Sequence, residues 1–437
     1  MSKKFIFLLF FIGGAAFLFP SLYSNQWKIV EPAYYHLWQR TYERVVVARL
    51  AKSRQDGIFS AGALLGLANS PKGWNFDLDP QYNIYENHEN IEHYLPYKSH
   101  PGAQGIVFGI FDRMANLSPQ QTITAMRILT TLASALALSL LSGCLALKFG
   151  VLSAVFVLVF SALSEWMILP ASNAYWSLWA FYVPFLGAMF LLTEAGTQDV
   201  FSTRKIYFSF FAVILTKVLF TGFEMITTIL VMTTVPFIYF AIEARWGWKR
   251  LVERLFKAGV VMMTAILAGA VILSSQIAAN DANLRSPLEY IVNTLGRRSA
   301  LNVGKYSHAK AYQDSKQVSA AEVVSIYLKI NAFNTQTPPA WWQVPYWKLI
   351  IIFGVFTALF LAKYKLWKRS KFPANGLALT ISTWYSILAP LSWYILFKPT
   401  AYIHTFLFPM AWQMPFALLG FALCGYVITD WFKAGDT

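Results

Sequence analysis

Lys217 and Glu224 stand seven residues apart in, or between, two of the most apolar stretches of the chain. A charge at membrane depth costs a few kcal/mol or more unless it faces water or a partner, so each is a functional candidate. On one continuous helix the two would share a face; with an external turn at Thr221 and Gly222 they would sit at the mouth of two adjacent helices. Either arrangement permits a buried ion pair or a polar site opening outward. Lys398, Tyr402 and His404 crowd a short connection between two later apolar stretches, a cation, a phenol and an imidazole suited to a lipid phosphate. Snorkelling to the interface explains the lysine as well, and the histidine less well. Arg127, Glu165, Asn173 and Trp176 fall where they would collect at the same membrane level and line a cavity rim. Asp56 ends a charged, aromatic stretch in the first polar arm.

These groups need a frame to position them, and composition supplies it. Of 437 residues 57% are hydrophobic and 13% charged, against about 25% charged in soluble domains. Backbone groups in lipid must bond internally, so hydrophobic runs of bilayer length predict helices. Ten spans are expected: Phe5 to Leu22, Thr122 to Leu147, Val151 to Leu169, Tyr175 to Leu192, Ile206 to Phe220, Thr221 to Ile242, Ala258 to Ile277, Leu349 to Leu366, Gly376 to Leu396 and Thr405 to Ile428. The fifth is short and poorly separated from the sixth. The chain therefore reads as an all-α, multi-spanning membrane protein in five parts. Residues 1–22 form an N-terminal span, 23–121 a first polar arm, 122–273 a central bundle, 274–348 a second arm and 349–437 a C-terminal bundle.

Lys3, Lys4, Lys148, Arg204, Lys205, the Arg245 to Lys257 cluster and the Lys363 to Lys371 cluster share one side if the chain crosses ten times. The positive-inside bias makes that side cytoplasmic, with both termini on it and both arms outside. The first span resembles a signal peptide in its basic start, yet residues 20–24 offer no small-x-small cleavage site, so an uncleaved anchor is expected. The net charge of +15 lies largely beside the membrane, where anionic lipids account for it; no nucleic-acid partner is expected. Cys144 and Cys424 both fall in apolar spans, so neither a disulfide framework nor thiol chemistry is implied.

In the first arm Trp27, Tyr34, Tyr35, Trp38 and Tyr42 predict an interfacial helix with its rings among lipid headgroups. Tyr82, Tyr85, Glu86, His88, Glu89, Glu92, His93, Tyr94, Tyr97 and Lys98 make either a sugar-like surface, rings for pyranose faces and carboxylates for hydroxyls, or an amphipathic lid. His88, Glu89, Glu92 and His93 have helical spacing for a metal but match no known catalytic metal pattern. The second arm carries Asp281, Arg285, Arg297, Arg298, Lys305, His308 and Lys310, with Trp341 and Trp342 anchoring its return.

Walker, dinucleotide, zinc-protease and nucleophile-elbow motifs are absent. Asp77, Leu78 and Asp79 imitate a sugar-nucleotide triplet, but nucleotides are scarce outside the cell, and a membrane-borne donor is the simpler expectation. Here the chain resembles the GT-C class of membrane glycosyltransferases, which take sugars from polyprenyl-phosphate carriers. The resemblance rests on one span followed by a large arm with Gln55 and Asp56, on the run from Tyr97 through His100 and Gln104 to Gly105, on the turn Asn173 to Trp176, and on the many-helix bundle after it. It covers nearly the whole chain as architecture. It implies a GT-C-like bundle of about ten transmembrane helices whose external loops contain interfacial helices. The chain departs from oligosaccharide-transferring members in lacking a paired acidic metal motif, which argues against metal dependence and for transfer of a single sugar.

The resemblance further implies that Asp56 is the base, with Glu224 as competitor, and that Lys398, His404 and Arg127 stabilise the departing phosphate. Tyr97, His100, Gln104, Glu165, Trp176, Lys217 and Tyr402 are assigned to substrate binding, with no cofactor and no metal ligand. The expected reaction is inverting transfer to a glycolipid, polysaccharide or protein acceptor on the periplasmic side of a bacterial inner membrane, with membrane lipids as surroundings. Two other classes fit: an O-antigen-type ligase or polymerase using a diphosphate-linked glycan, with Arg297, Arg298, Lys305 and His308 on the pyrophosphate, and a lipid or polysaccharide transporter or flippase. The unequal arms give no sign of the internal symmetry a transporter favours.

Overall fold

Helix boundaries are written into the chain by its caps. Glu31 accepts from the main-chain N–H of Ala33 and Tyr34 at 3.0 and 2.6 Å, with Pro32 in the first turn. Ser118 and Gln121 cap one another's main chain, with Pro119 following. Each supplies acceptors for N–H groups that a helix start leaves unpaired. The computed structural model describes residues 2–69, 79–195, 204–281, 286–301, 310–334, 343–366 and 372–432. Asp77, Leu78, Arg285, Lys305, His308, Pro338, Pro339, Trp341 and Trp342 lie outside them.

Among the described residues the chain is all-α apart from two three-residue strands. In order come α1 (Lys3–Leu8) and, after one π-type turn, α2 (Gly14–Ser24); α3 (Pro32–Asp56); β1 (Gly66–Ala68); α4 (Asp79–Glu86); β2 (Tyr94–Pro96); α5 (Ala103–Ala115); α6 (Pro119–Phe149); α7 (Val151–Ala162); α8 (Glu165–Ala171); α9 (Leu178–Ala195); α10 (Arg204–Thr221) and α11 (Ile226–Glu243). Then follow α12 (Trp248–Asp281), α13 (Ser286–Arg298), α14 (Lys310–Gln317), α15 (Ala320–Lys329), α16 (Tyr346–Leu366), α17 (Ala374–Ser386), α18 (Leu388–Leu396), α19 (Lys398–Ile403) and α20 (Phe416–Phe432). β1 and β2 pair antiparallel, Leu67 opposite Leu95.

Among the described residues five helices are long and apolar enough to cross a membrane: Lys3–Ser24, Pro119–Phe149, Ile226–Glu243, Trp248–Asp281 and Tyr346–Lys365. The expected third span is a bent pair, α7 and α8 meeting at 69°. Leu178–Thr193, Ile206–Thr221 and Phe416–Phe432 are shorter apolar helices. Among the described residues a main hydrophobic core runs through the bundle, and Leu64, Leu273 and Ile277 form a small separate cluster. α20 lies against α7 so closely that a Cβ on Gly425 would come within 2.6 Å of the Leu152 main chain, and Phe160 stacks flat on Phe421 at 3.6 Å.

α3, expected as an interfacial helix, buries two of its rings in the protein. Tyr35 and Trp38 are buried, as are Val45, Val46 and Val47, because α3 packs against α4, α5 and α8. Its rings find protein partners, Trp38 facing Trp176 at 6.2 Å. The second arm also folds back on the bundle: Tyr327 stacks on Tyr394 at 4.0 Å and donates to the Ala401 carbonyl at 2.7 Å.

Two ends of the bundle can be told apart. At one, Lys148 of α6 pairs with Glu243 of α11 at 3.0 Å and Asn375 donates to the Lys148 carbonyl at 3.3 Å. The turns at 172–177 and 221–225, α13 and α19 assemble at the other. α11 separates the ends by about 27 Å at 1.5 Å per residue.

Candidate functional site

The turn between α10 and α11 is where the chain concentrates unfavourable conformations. Gly222 has φ +57°, and Met225, which opens α11, has φ 48°, in the left-handed region that costs a side-chain-bearing residue about 1–2 kcal/mol. A Cβ on Gly222 would fall on the Cβ of His100, so both φ and space require glycine there. Lys217, fully buried on α10, pins the turn by donating at 2.7 Å to the main-chain carbonyls of Gly222 and of Glu224. The turn so held presents the Glu224 side chain to Arg298.

Arg298 ends α13, and its guanidinium makes a salt bridge with Glu224. It also reaches Ser99 at 3.3 Å, and its main-chain carbonyl accepts from Thr400 at 3.0 Å. Residues from α3, the Tyr97 loop, the 172–177 turn, the 221–225 turn, α13 and the segment after α19 enclose a cavity of about 290 Å³. Its polar lining is Thr41, Arg44, Glu224, Arg298, Thr400 and His404; its ring and apolar lining is Tyr42, Val45, Tyr97, Tyr175, Trp176, Phe406, Leu407 and Phe408. Phe406 is 46% exposed, so the segment after His404 gives the cavity an apolar lip.

The aromatic wall is held by hydrogen bonds behind it. Asn173 accepts from the main-chain N–H of Tyr175 and Trp176 at 3.1 and 3.2 Å and donates to Gln39 of α3 at 2.9 Å. Tyr175 donates to Tyr97 at 3.1 Å, and the His100 ring lies 5.1 Å from Tyr175 and 5.5 Å from Tyr97. Three buried polar atoms around Tyr175, His100 Nδ1, Gln104 Oε1 and Trp176 Nε1, have no hydrogen-bond partner among the described residues. Each has the capacity to bond a polar ligand atom or a water.

Burial, only partly opposed by Glu224, lowers the His100 imidazole to about 4, and His404 is lowered for the same reason. Both rings are neutral at pH 7. Burial would lower the Arg298 guanidinium, but Glu224 and the nearby phenols outweigh it and hold its pKa well above the ordinary value. At neutral pH the cavity thus contains one tightly matched carboxylate and guanidinium, the neutral imidazole of His404 and a second guanidinium on Arg44, with the neutral His100 ring behind the Glu224 turn.

Of the expected site residues, Glu224, His404, Tyr97 and Trp176 line the cavity. His100 and Lys217 touch the same turn from behind, and Gln104 donates to the Tyr175 carbonyl at 3.2 Å. The others stand elsewhere. Asp56 lies eleven residues beyond Val45 on α3, about 16 Å along the helix, and is paired with Lys52 one turn back. Arg127 bonds Glu43 at 2.7 and 2.8 Å rather than facing the cavity. Lys398 donates to the carbonyls of Lys316 and Val318 at 3.1 and 2.6 Å, closing the end of α14. Glu165 is fully buried in the bundle, its main-chain N–H given to Phe333, and Tyr402 packs half-buried against the core. His88 bonds Arg54 at 3.2 Å, and no group of three His, Cys, Asp or Glu side chains gathers among the described residues.

Among the lining residues Tyr42, Arg44 and Tyr175 were not expected as site groups, and Arg298 was expected only on a pyrophosphate. The sequence signal for Arg298 was its place in the basic arm, and for Tyr175 its neighbours Asn173 and Trp176. No protein-family model, curated protein or solved structure matches the chain.

Proposed function

We propose that the chain is a membrane glycosyltransferase of the GT-C kind, crossing the bilayer ten times with both termini cytoplasmic and the Glu224 cavity on the opposite side. The meeting of Lys148, Glu243 and Asn375 at one end supports an even number of crossings between them, as ten alternating spans give. The residues of the cavity all fall on the other side in the same count. The bacterial inner membrane is the proposed location.

The observation that carries the reading is the buried pair of Glu224 and Arg298 in a cavity with tyrosine and tryptophan walls and an apolar lip. The lip would receive the first prenyl units, and the rings the sugar faces. The donor phosphate would draw Arg298 away from Glu224, with His404 beside it, and so unmask the carboxylate as the phosphate arrives. The acceptor hydroxyl oxygen then attacks the anomeric carbon, the bond from that carbon to the phosphate oxygen breaks with its electron pair, and the hydroxyl proton passes to Glu224. Attack opposite the leaving phosphate inverts the anomeric centre. Asp56 has no part in this scheme because of its distance along α3.

The test supplies the purified full chain in nanodiscs with a polyprenyl-monophosphate-linked hexose and envelope glycolipid acceptors, and follows transfer to the acceptor. Glu224→Gln should reduce turnover by about 10²-fold or more while donor is still bound; Asp56→Asn should leave it near the starting rate. Wild-type turnover in E224Q sinks the assignment. Arg298 at the cavity also favours the ligase reading with a diphosphate-linked glycan, and the same assay with that donor separates the two.

A further inference from the structure

At the end of the bundle remote from Glu224, α6, α9, α11 and α17 part to leave a cleft of about 230 Å³, walled by side chains such as Cys144, Met189, Phe240 and Leu379. Its lining is almost wholly apolar, and it exceeds the ~150 Å³ that suffices to hold a benzene in an apolar cavity. Phe7 and Leu147 also line a second, shallower space of about 370 Å³ whose other walls are Lys3, Lys4 and Leu8. The two spaces share Phe7 and Leu147 as walls, and the second is bordered by the aliphatic stems of Lys3 and Lys4, both exposed. Lys148 at the rim is already engaged by Glu243 at 3.0 Å and lies over the rings of Tyr239 and Phe240 at 4.9 and 4.7 Å. The charge left for a ligand is that of the exposed Lys3 and Lys4.

We propose that this is a binding site for one anionic glycerophospholipid, its phosphate on Lys3 and Lys4 and one acyl chain threaded past Leu147 into the cleft. An unfilled apolar slot forfeits dispersion contacts on every wall, and a flexible hydrocarbon chain restores them. The paired lysines select the headgroup by charge, as basic residues beside a membrane do. A lipid held here would tie α1 to α6, α9 and α11, acting as a structural lipid rather than one of the exchanging shell. The proposal is independent of any chemistry at Glu224.

The full chain, purified in a mild maltoside, is offered equal amounts of dioleoyl phosphatidylglycerol and dioleoyl phosphatidylcholine, and retained lipid is read by native mass spectrometry. One phosphatidylglycerol per chain is expected, favoured about tenfold over phosphatidylcholine. Cys144→Trp and Met189→Trp each fill the slot and should abolish retention, while Lys3→Gln with Lys4→Gln should keep a lipid and erase the preference. Thermal unfolding checks that each variant folds; the lysine pair is exposed and reports even if a filled variant fails. Equal retention of the two lipids by the wild type, or undiminished phosphatidylglycerol in folded filled variants, overturns the proposal.

Discussion

Lys217 Nζ donates at 2.7 Å to the main-chain carbonyl of Glu224, while the Glu224 carboxylate goes to Arg298. The lysine thus fixes where the acid stands rather than neutralising it. It compensates a turn that contains a left-handed methionine and a glycine with no room for a Cβ.

Lys217→Met should therefore destabilise the fold by about 3 kcal/mol, because two buried carbonyls lose charge-assisted bonds. In a working transfer assay the same variant should lower kcat with KM little changed, since it misplaces Glu224 and leaves the cavity walls alone. Chemical unfolding in detergent and steady-state kinetics read the two effects. A variant as stable as wild type would show that the turn holds itself.

Removing one member of the Glu224 and Arg298 pair strands a buried charge. Glu224→Gln and Arg298→Met should each cost about 3–5 kcal/mol, whereas the double variant should recover most of it, because the desolvation penalty of both charges disappears together. A double-mutant cycle on unfolding free energies measures the coupling. Additive losses would mean that the two side chains do not meet.

Arg127 and Lys398 are predicted to matter for folding and not for phosphate. Arg127→Met leaves the fully buried Glu43 without its countercharge, with the Ala174 N–H still bonded to it, and should cost about 3 kcal/mol. Lys398→Gln uncovers carbonyls at the end of α14 and should cost about 1 kcal/mol. Neither should weaken binding of a polyprenyl phosphate, measured by tryptophan fluorescence or calorimetry. A tenfold loss of donor affinity in stable Lys398→Gln protein would return that lysine to the site.

The contrast between these residues shows what a sequence can carry. Lys217 and Glu224 were legible because seven residues of apolar chain leave two charges few places to go. Arg298 was not legible as the partner of Glu224, since 74 residues separate them and the arm between has no periodicity that fixes its return. The distance of Asp56 from the cavity was not legible, because proximity to the first span says nothing of how far a 25-residue helix carries its last carboxylate from the face that lines the cavity. Hydropathy located the apolar segments, and helices occupy them. It could not tell which rings of α3 would be buried, since aromatic residues suit headgroups and protein interior equally and only tertiary packing seats Tyr35 and Trp38 inside.

His100 links the site to acid stability. Its imidazole titrates near 6.5 when unfolded and at about 4 in the fold, because burial disfavours the cation more than Glu224 favours it. Between these values the unfolded chain binds more protons than the folded one, so this residue makes stability fall as pH drops from 6.5 towards 4 and has no such effect above 6.5. The loss is at most about 3 kcal/mol. His100→Phe keeps a ring against Tyr97 and Tyr175 but cannot titrate, so the stability difference between wild type and variant should shrink or reverse as pH falls from 7.5 to 4.5. Unfolding free energies of both proteins in one detergent across that range check it. Parallel pH profiles would mean that His100 takes its proton as readily folded as unfolded, and with it that the ring is wet rather than sealed behind Gly222.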